Sequence, residues 1–197
     1  MEGKIRVNGL YFNLPPKPKK KDILFSDLKK KDQKWRRVEI PETLSEETAA
    51  SHSDFISTEF DRRKNGVWFM NNGKPTYITG EHYYYLNWCK LDIGYPQYRD
   101  RDRRFFIFWE ICKNDPECFG MVMVKHRREG ASYKGAAMLL YEITSRYNSH
   151  GGIISKTGVD AKSLFTDKLV YMFRHLPFFF QPIIDGSDNP KSTLSFN

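Results

Sequence analysis

From residue 54 onward, apolar positions recur with a spacing that changes from helical to strand-like and back. Phe55, Ile56 and Phe60, followed by Asp61-Arg62-Arg63-Lys64, predict a short helix. Val67-Trp68-Phe69-Met70, Asn71-Asn72-Gly73-Lys74 and Pro75-Thr76-Tyr77-Ile78-Thr79 read as a β-hairpin around an Asn-Gly turn. Thr79-Gly80-Glu81-His82 opens a second helix, and Tyr83, Tyr84, Leu86, Asn87 and Trp88 give it an aromatic face. The apolar segment Phe105 to Cys112 reads as a third helix. Phe119-Gly120-Met121-Val122-Met123-Val124 is a continuous apolar run of strand length, which suits a central strand buried on both faces. Ala136, Ala137, Leu139, Leu140, Ile143 and Tyr147 return to helical spacing. A second short strand is expected over Gly151 to Thr157, and a second amphipathic helix through Ala161, Leu164, Phe165, Leu169 and Phe173. Leu176-Pro177 to Pro182 ends that helix, and Lys191 to Asn197 is strand-like. Strand, helix, strand, helix implies an α/β fold with a parallel sheet and right-handed crossovers.

The first fifty residues lack this patterning. Leu14-Pro15-Pro16-Lys17-Pro18-Lys19-Lys20-Lys21 combines missing backbone donors with mutually repelling lysines, so residues 1–22 are expected as an extended arm. Asp22 to Val38 is expected to hold a short basic helix with Ile23, Leu24 and Leu28 on one side. A second arm is expected over Pro41 to Ser53, where Thr43 or Ser45 can cap a turn around Glu46 and Glu47. Residues 1–37 carry 12 Lys and Arg against 4 Asp and Glu, a net +8 that equals the charge of the whole chain. Residues 1–37 are therefore read as adding little to the core, with the basic character confined to this one end. Such an end suits a polyanion such as nucleic acid, or serves as a solvated leader.

Fifteen per cent aromatic content promises a bulky core. No apolar run approaches the length of a membrane span, and residues 1–30 show no apolar signal-peptide core. Cys89, Cys112 and Cys118 match neither a CxxC nor a Cys/His zinc spacing, and they read as reduced, intracellular thiols. The five histidines show no metal-ligand spacing. No serine-nucleophile elbow or Cys/His pair is present.

The chemistry concentrates after the apolar run. Lys125-His126-Arg127-Arg128-Glu129-Gly130-Ala131-Ser132 lies between a predicted strand and a predicted helix. A helix N-terminus offers free N–H groups and the positive end of a dipole to phosphate. Gly130 permits close backbone approach, and Ser132 stands where a hydroxyl ligand of Mg²⁺ belongs. Against the pattern GxxxxGK[ST], Lys125 takes the first glycine's place and Ala131 the lysine's. The phosphate charge must then come from Lys125, Arg127 or Arg128. The tyrosines Tyr83 to Tyr85 suit base stacking or, better, helix packing. The alternating charges of Tyr98 to Arg104 suit an exposed helix start or, through one or two arginines, a nucleotide or DNA contact.

In this order of elements the chain resembles the large terminase subunits of tailed phages. Lys125 to Ser132 looks like their variant Walker A loop, in part of which the lysine stands at the head. The ordered context is similar too: the loop helix, a strand with Ser155-Lys156-Thr157, a helix, then Leu176-Pro177 through Gln181-Pro182. Gly80 to Asn87 and Arg101 to Phe106 are similar to terminases of Bacteroides-type phages, including crAss-like ones. The resemblance covers roughly residues 54–197.

It implies an ASCE-type P-loop ATPase, with a parallel sheet flanked by helices, followed by an RNase H-like nuclease. It implies ATP and Mg²⁺ as cofactors, Mg²⁺ being held by Ser132 through the nucleotide. Lys125, Arg127, Arg128, Glu129, Gly130, Ala131 and Ser132 would form the loop, with Gln97, Tyr98, Arg103 and Arg104 in the interval that precedes it and contacts adenine. Partners would be double-stranded DNA, a portal, a small terminase subunit and further copies in a ring, in the cytoplasm of an infected bacterium and transiently at the capsid portal, with no membrane.

The expected organisation is a basic extended arm over 1–40, a helix and hairpin segment over 41–96, and the first half of the ATPase domain over 97–197. Ile183-Ile184-Asp185-Gly186 is too short and lacks the glutamate of a Walker B strand, and no nuclease carboxylates can be placed. By resemblance the chain is then the N-terminal portion of a packaging motor, with an incomplete sheet and little or no turnover by itself. The alternative is a non-enzymatic nucleic-acid-binding or virion-associated protein with a degenerate P-loop fold.

Overall fold

A computed structural model describes residues 3–187 and 189–196. The fold is mixed α/β, and the sheets among these residues are three antiparallel two-stranded pairs. The chain divides into two units. One comprises the chain up to Glu42 with His52–Tyr83 and Gln97–Lys125; the other comprises Thr43–Ser51, Tyr84–Pro96 and the chain from His126.

The first unit is built on two hairpins. Strand β1 (Lys4–Val7) pairs with β2 (Leu10–Asn13), and β3 (Val67–Asn71) pairs with β4 (Lys74–Ile78). Both turns are Asn-Gly, with positive φ at both residues, the geometry that matches strand twist. Helix α1 (Ser53–Asn65) precedes the second hairpin, and α2 (Gly80–Asn87) begins directly after it. A Cβ on Gly80 would fall 2.0 Å from the Arg63 carbonyl oxygen, so only glycine lets α2 start this close to the end of α1. Helix α3 (Asp100–Asn114) packs on both hairpins. Arg103 Nε donates to the Tyr77 carbonyl at 2.6 Å, and Phe106 stacks on the buried His82 ring at 4.7 Å.

A buried carboxylate joins α1 to α2. Glu59 is fully buried. It accepts from the Tyr83 hydroxyl and from Arg62, each at 2.5 Å. Burial, and then the Glu59 charge, push the Tyr83 hydroxyl far above its usual range, so it stays a donor. Tyr83→Phe removes one donor from a carboxylate that cannot turn to water. The first unit should lose about 1.5–3 kcal/mol, read as a lower urea midpoint at unchanged slope.

The second unit centres on α4 (Ala131–Ser145) and on a run of helix made of α5 (Gly158–Leu164), a π-helical turn (Phe165–Val170) and α6 (Tyr171–Arg174). Ala136, Ala137 and Leu140 of α4 are buried, and α4 packs on the π turn, where Leu169 and Val170 are buried. Thr157 caps α5 by accepting from the Asp160 N–H at 3.1 Å. Trp88 and Tyr84 pack edge-on against Phe180. Gln181 donates to the carbonyls of Leu176 and Phe173, closing the end of the helical run. A two-residue pair, β5 (Ile184–Asp185) with β6 (Ser195–Phe196), follows.

Several expectations need correction. Over the described part of residues 1–22, from residue 3 on, the extended arm gives way to a hairpin: Asn8-Gly9, flanked by Ile5, Val7, Leu10 and Phe12, forms its turn and Val7 is buried. The expected helix over Asp22 to Val38 is replaced by two short 3-10 turns, Lys20–Asp22 and Lys30–Asp32. Between them Leu24 runs beside β3, its N–H donating to the Trp68 carbonyl at 3.1 Å and its carbonyl accepting from Met70 at 2.9 Å. Gln33 then binds the second hairpin turn, accepting from the N–H groups of Asn72 and Gly73. These long-range bonds satisfy the backbone in place of a helical ladder. The basic end therefore does enter the core, contrary to expectation: Ile23 is buried and Trp35 packs on Phe69 and Tyr83.

The segment Phe119 to Val124 carries no strand, and neither does Gly151 to Thr157. A central strand requires partners on both edges, and among the described residues none pairs with either segment. Phe119, Val122 and Val124 are instead almost fully exposed. Of the strand-like end, Ser195–Phe196 is paired, and Asn197 lies outside the described residues.

Candidate functional site: the basic loop before helix α4

Lys125 closes the first unit, and His126 to Gly130 lead into α4 in the second. Gly130 is the N-cap, in the left-handed conformation at φ 70° and ψ 19°, and Arg128 is also left-handed at φ 66°. Glycine is favoured there because a Cβ is strained at that φ. Space is not the reason, since a Cβ at Gly130 would meet nothing within 4 Å. The first bond of the helix runs from the Lys134 N–H to the Gly130 carbonyl at 3.0 Å. The N–H groups of Ala131, Ser132 and Tyr133 thus lie in the turn that has no intrahelical acceptor. No side chain caps this end and no acidic residue stands in its first turn. Lys125, His126, Arg127, Arg128 and Ser132 are exposed, and Glu129, Gly130 and Ala131 are half-buried.

In the sequence Arg127 and Arg128 closely precede, and Ser132 lies within, the first turn of a helix whose dipole favours negative charge at this end. Ala131 opens the helix without a functional group, so the cationic chemistry of the loop rests on Lys125, Arg127 and Arg128.

Behind the loop, the first turn of α4 is fastened by a polar cluster that sequence spacing does not reveal. The Tyr133 hydroxyl donates to Asp92. Lys168, from the π-helical turn, donates to the Tyr133 oxygen at 2.7 Å and to Asp92 at 3.3 Å. Its ammonium lies 4.0 Å from the Tyr133 ring centre. The Tyr133 hydrogen bond, then Lys168, hold the Asp92 carboxyl below the usual range despite some desolvation. Desolvation pulls Lys168 down, but its bonds to Tyr133 and Asp92 outweigh that and raise it. The three residues are separated by 41 and 35 positions, and only the fold brings them together.

Gln97, Tyr98 and Arg104 belong to the first unit. Gln97 and Arg104 are exposed, on the approach to α3 and on α3. Tyr98 is engaged structurally: its hydroxyl donates to Asp100 at 2.6 Å and its ring packs on Phe69 and His82. Burial, and then Asp100, raise its hydroxyl well above the usual range. Tyr83, Tyr84 and Tyr85 are all buried, which leaves no face for stacking on bases.

A groove of about 840 Å³ in the second unit is lined by Leu139, Ile143, Phe165, Leu169, Leu194 and Phe196 among others, and by none of residues 125–132. No group of three or more His, Cys, Asp or Glu among the described residues could hold a metal ion. No helix among them is long and apolar enough to cross a membrane. Compared with protein-family models, curated proteins and solved structures, the chain matches none.

Proposed function

We propose that the loop from Lys125 to Ser132 binds the phosphates of ATP, and that the chain is the ATP-binding portion of a viral DNA-packaging motor of the large-terminase kind. The observation that carries this reading is the left-handed Gly130 cap, which opens a 15-residue helix just after a run of cations in the sequence. The backbone of the helix start would take the phosphates, Lys125 and the loop arginines would balance their charge, and Ser132 would offer its hydroxyl to the Mg²⁺ that accompanies them. The cluster of Tyr133, Asp92 and Lys168 holds that helix start in place.

On this reading, Phe119 to Val124 and Gly151 to Thr157, which carry no strand in this structure, would become strands of a parallel P-loop sheet in the full motor. Two features support it. The first segment exposes Phe119, Val122 and Val124, and Ile154 of the second is equally exposed. The mixed lining of the groove beside α4 includes Leu139 and Ile143, four residues apart on one helix face, as a helix face that covers a sheet would present. Gln97 and Arg104 remain candidates for an adenine contact, and coupling of ATP to DNA translocation belongs to the full motor. Amide exchange with and without Mg²⁺-ATP tests the loop reading: the N–H groups of residues 128–134 should gain protection. Protection spread elsewhere with none in the loop would contradict it.

Double-stranded DNA is the proposed polymeric partner. The lysines of residues 17–34 are exposed, and the 3-10 turns and Gln33 hold them on an ordered surface of the first unit. Because these residues are part of the fold, deleting them would not isolate their charge. Replacing Lys29, Lys30 and Lys31 together by Gln should weaken DNA binding and lower the slope of log K against log[salt] by about 1–3. Binding with an unchanged slope would remove this surface from the account.

A further inference from the structure

The chain contains three Asn-Gly pairs: Asn8-Gly9, Asn65-Gly66 and Asn72-Gly73. Glycine has no side chain to shield its nitrogen, so at each pair that nitrogen can attack the amide of the asparagine before it. All three asparagines are exposed and belong to the first unit. What differs is the glycine N–H. The Gly66 N–H donates to the Arg62 carbonyl at 2.9 Å, and the Asn65 amide is tied to Asp61 at 2.7 Å. Gly66 is also closely packed, since a Cβ there would run into the Ile78 carbonyl oxygen. The Gly73 N–H donates to Gln33 Oε1 at 3.0 Å, and the Lys30 side chain lies over that glycine. Asn8 and Asn72 share one backbone geometry, with φ of 48° and 50° followed by glycines at 88° and 85°. Yet among the described residues no hydrogen bond holds the Gly9 N–H, and a Cβ on Gly9 would meet nothing within 4 Å.

We propose that Asn8 is a self-modification site, at which the native chain loses ammonia through a succinimide and turns the tip of its first hairpin into aspartate and isoaspartate. The Gly9 nitrogen gives up its proton and attacks Asn8 Cγ. A C–N bond forms, and the side-chain nitrogen leaves as ammonia with that proton. Water then opens the five-membered ring at one of its two carbonyls. Opening at Cγ gives aspartate, and opening at the backbone carbonyl gives isoaspartate, in which the chain runs through Cγ. One amide and one water become one carboxylic acid and one ammonia, with no change of oxidation state.

The preference for Asn8 follows from the first step. A glycine N–H that already donates to a carbonyl or amide oxygen must break that bond before its nitrogen can turn and attack, and Gly66 and Gly73 both carry such a bond. The product matters to the fold. Isoaspartate adds a methylene to the backbone of a two-residue turn that sets the register of β1 with β2, and α3 packs on both strands. Either product also places a carboxylate in the basic end of the chain.

The test follows all three pairs in one chain. The native full-length protein is held at neutral pH, sampled over weeks and digested with trypsin, which places Asn8 in peptide 7–19 and the other two pairs in peptide 65–90. Fragment mass spectra locate each amide-to-acid conversion, and methylation by an isoaspartyl methyltransferase counts isoaspartate in peptide 7–19. Asn8 should convert about two- to tenfold faster than Asn65 or Asn72, the factor that one hydrogen bond on the attacking nitrogen is worth. In urea that unfolds the chain, the three rates should draw together, because only the shared Asn-Gly sequence then acts. Conversion of Asn8 no faster than the other two in the native protein would overturn the proposal. The same lead of Asn8 in urea would overturn it too, since the sequence around Asn8 and not the fold would then set the rate.

Discussion

Phe69→Ala should destabilise the first unit by about 3–5 kcal/mol, the largest single effect the fold implies. Phe69 is wholly buried on β3, and its ring meets Trp35 edge-on at 5.2 Å and Tyr98 at 5.1 Å. Leu24 bridges to it along the backbone. It thus stands where the basic N-terminal segment, the second hairpin and the approach to α3 meet. Truncation removes the ring's burial and leaves a cavity lined by two aromatic side chains that cannot collapse without pulling the N-terminal segment off β3. Urea unfolding followed by tryptophan fluorescence reads the loss. Trp35 should become exposed at lower urea in the variant, since its packing depends on Phe69. A shift under about 1 kcal/mol would mean that the N-terminal segment holds to the unit by other contacts.

Much of this architecture was legible in the sequence. The hairpin around Asn72-Gly73 and the helices α1, α2, α3 and α4 follow from hydrophobic period and turn chemistry, signals that are local. The Asn8-Gly9 hairpin carries the same turn signal and was obscured by the prolines and lysines that follow it. The packing of residues 22–37 was not legible, because it depends on Gln33 reaching a turn forty residues away and on Leu24 adding to β3. The strand reading of Phe119 to Val124 used a real signal, an unbroken apolar run, but a run of that kind states only what neighbours it requires and cannot supply them. The loop itself was legible as glycine and cations before a helix. The cluster of Tyr133, Asp92 and Lys168 behind it was not, since three distant positions carry no pattern.

The second large effect concerns the loop. Lys125→Ala should weaken Mg²⁺-ATP binding by about ten- to a hundredfold, on the order of 1.5–3 kcal/mol, the value of a charge contact to phosphate. The reason is that, on the proposed reading, Ala131 carries no charge where P-loops ordinarily place lysine, and Lys125 at the head of the loop takes over that charge. Arg127→Ala should weaken binding less, because a planar guanidinium also suits a contact to DNA or to another subunit. Ala131→Lys, made in the Lys125→Ala background, should recover part of the affinity, since it returns the cation to the ordinary slot.

Calorimetric titration of the wild-type chain and these three variants with Mg²⁺-ATP tests the central claim most directly. The account predicts measurable binding by the wild type, about a ten- to hundredfold loss in Lys125→Ala, a smaller loss in Arg127→Ala and recovery of only part of the Lys125→Ala loss in the double variant. No binding by the wild type, or equal affinity across all four proteins, would contradict it.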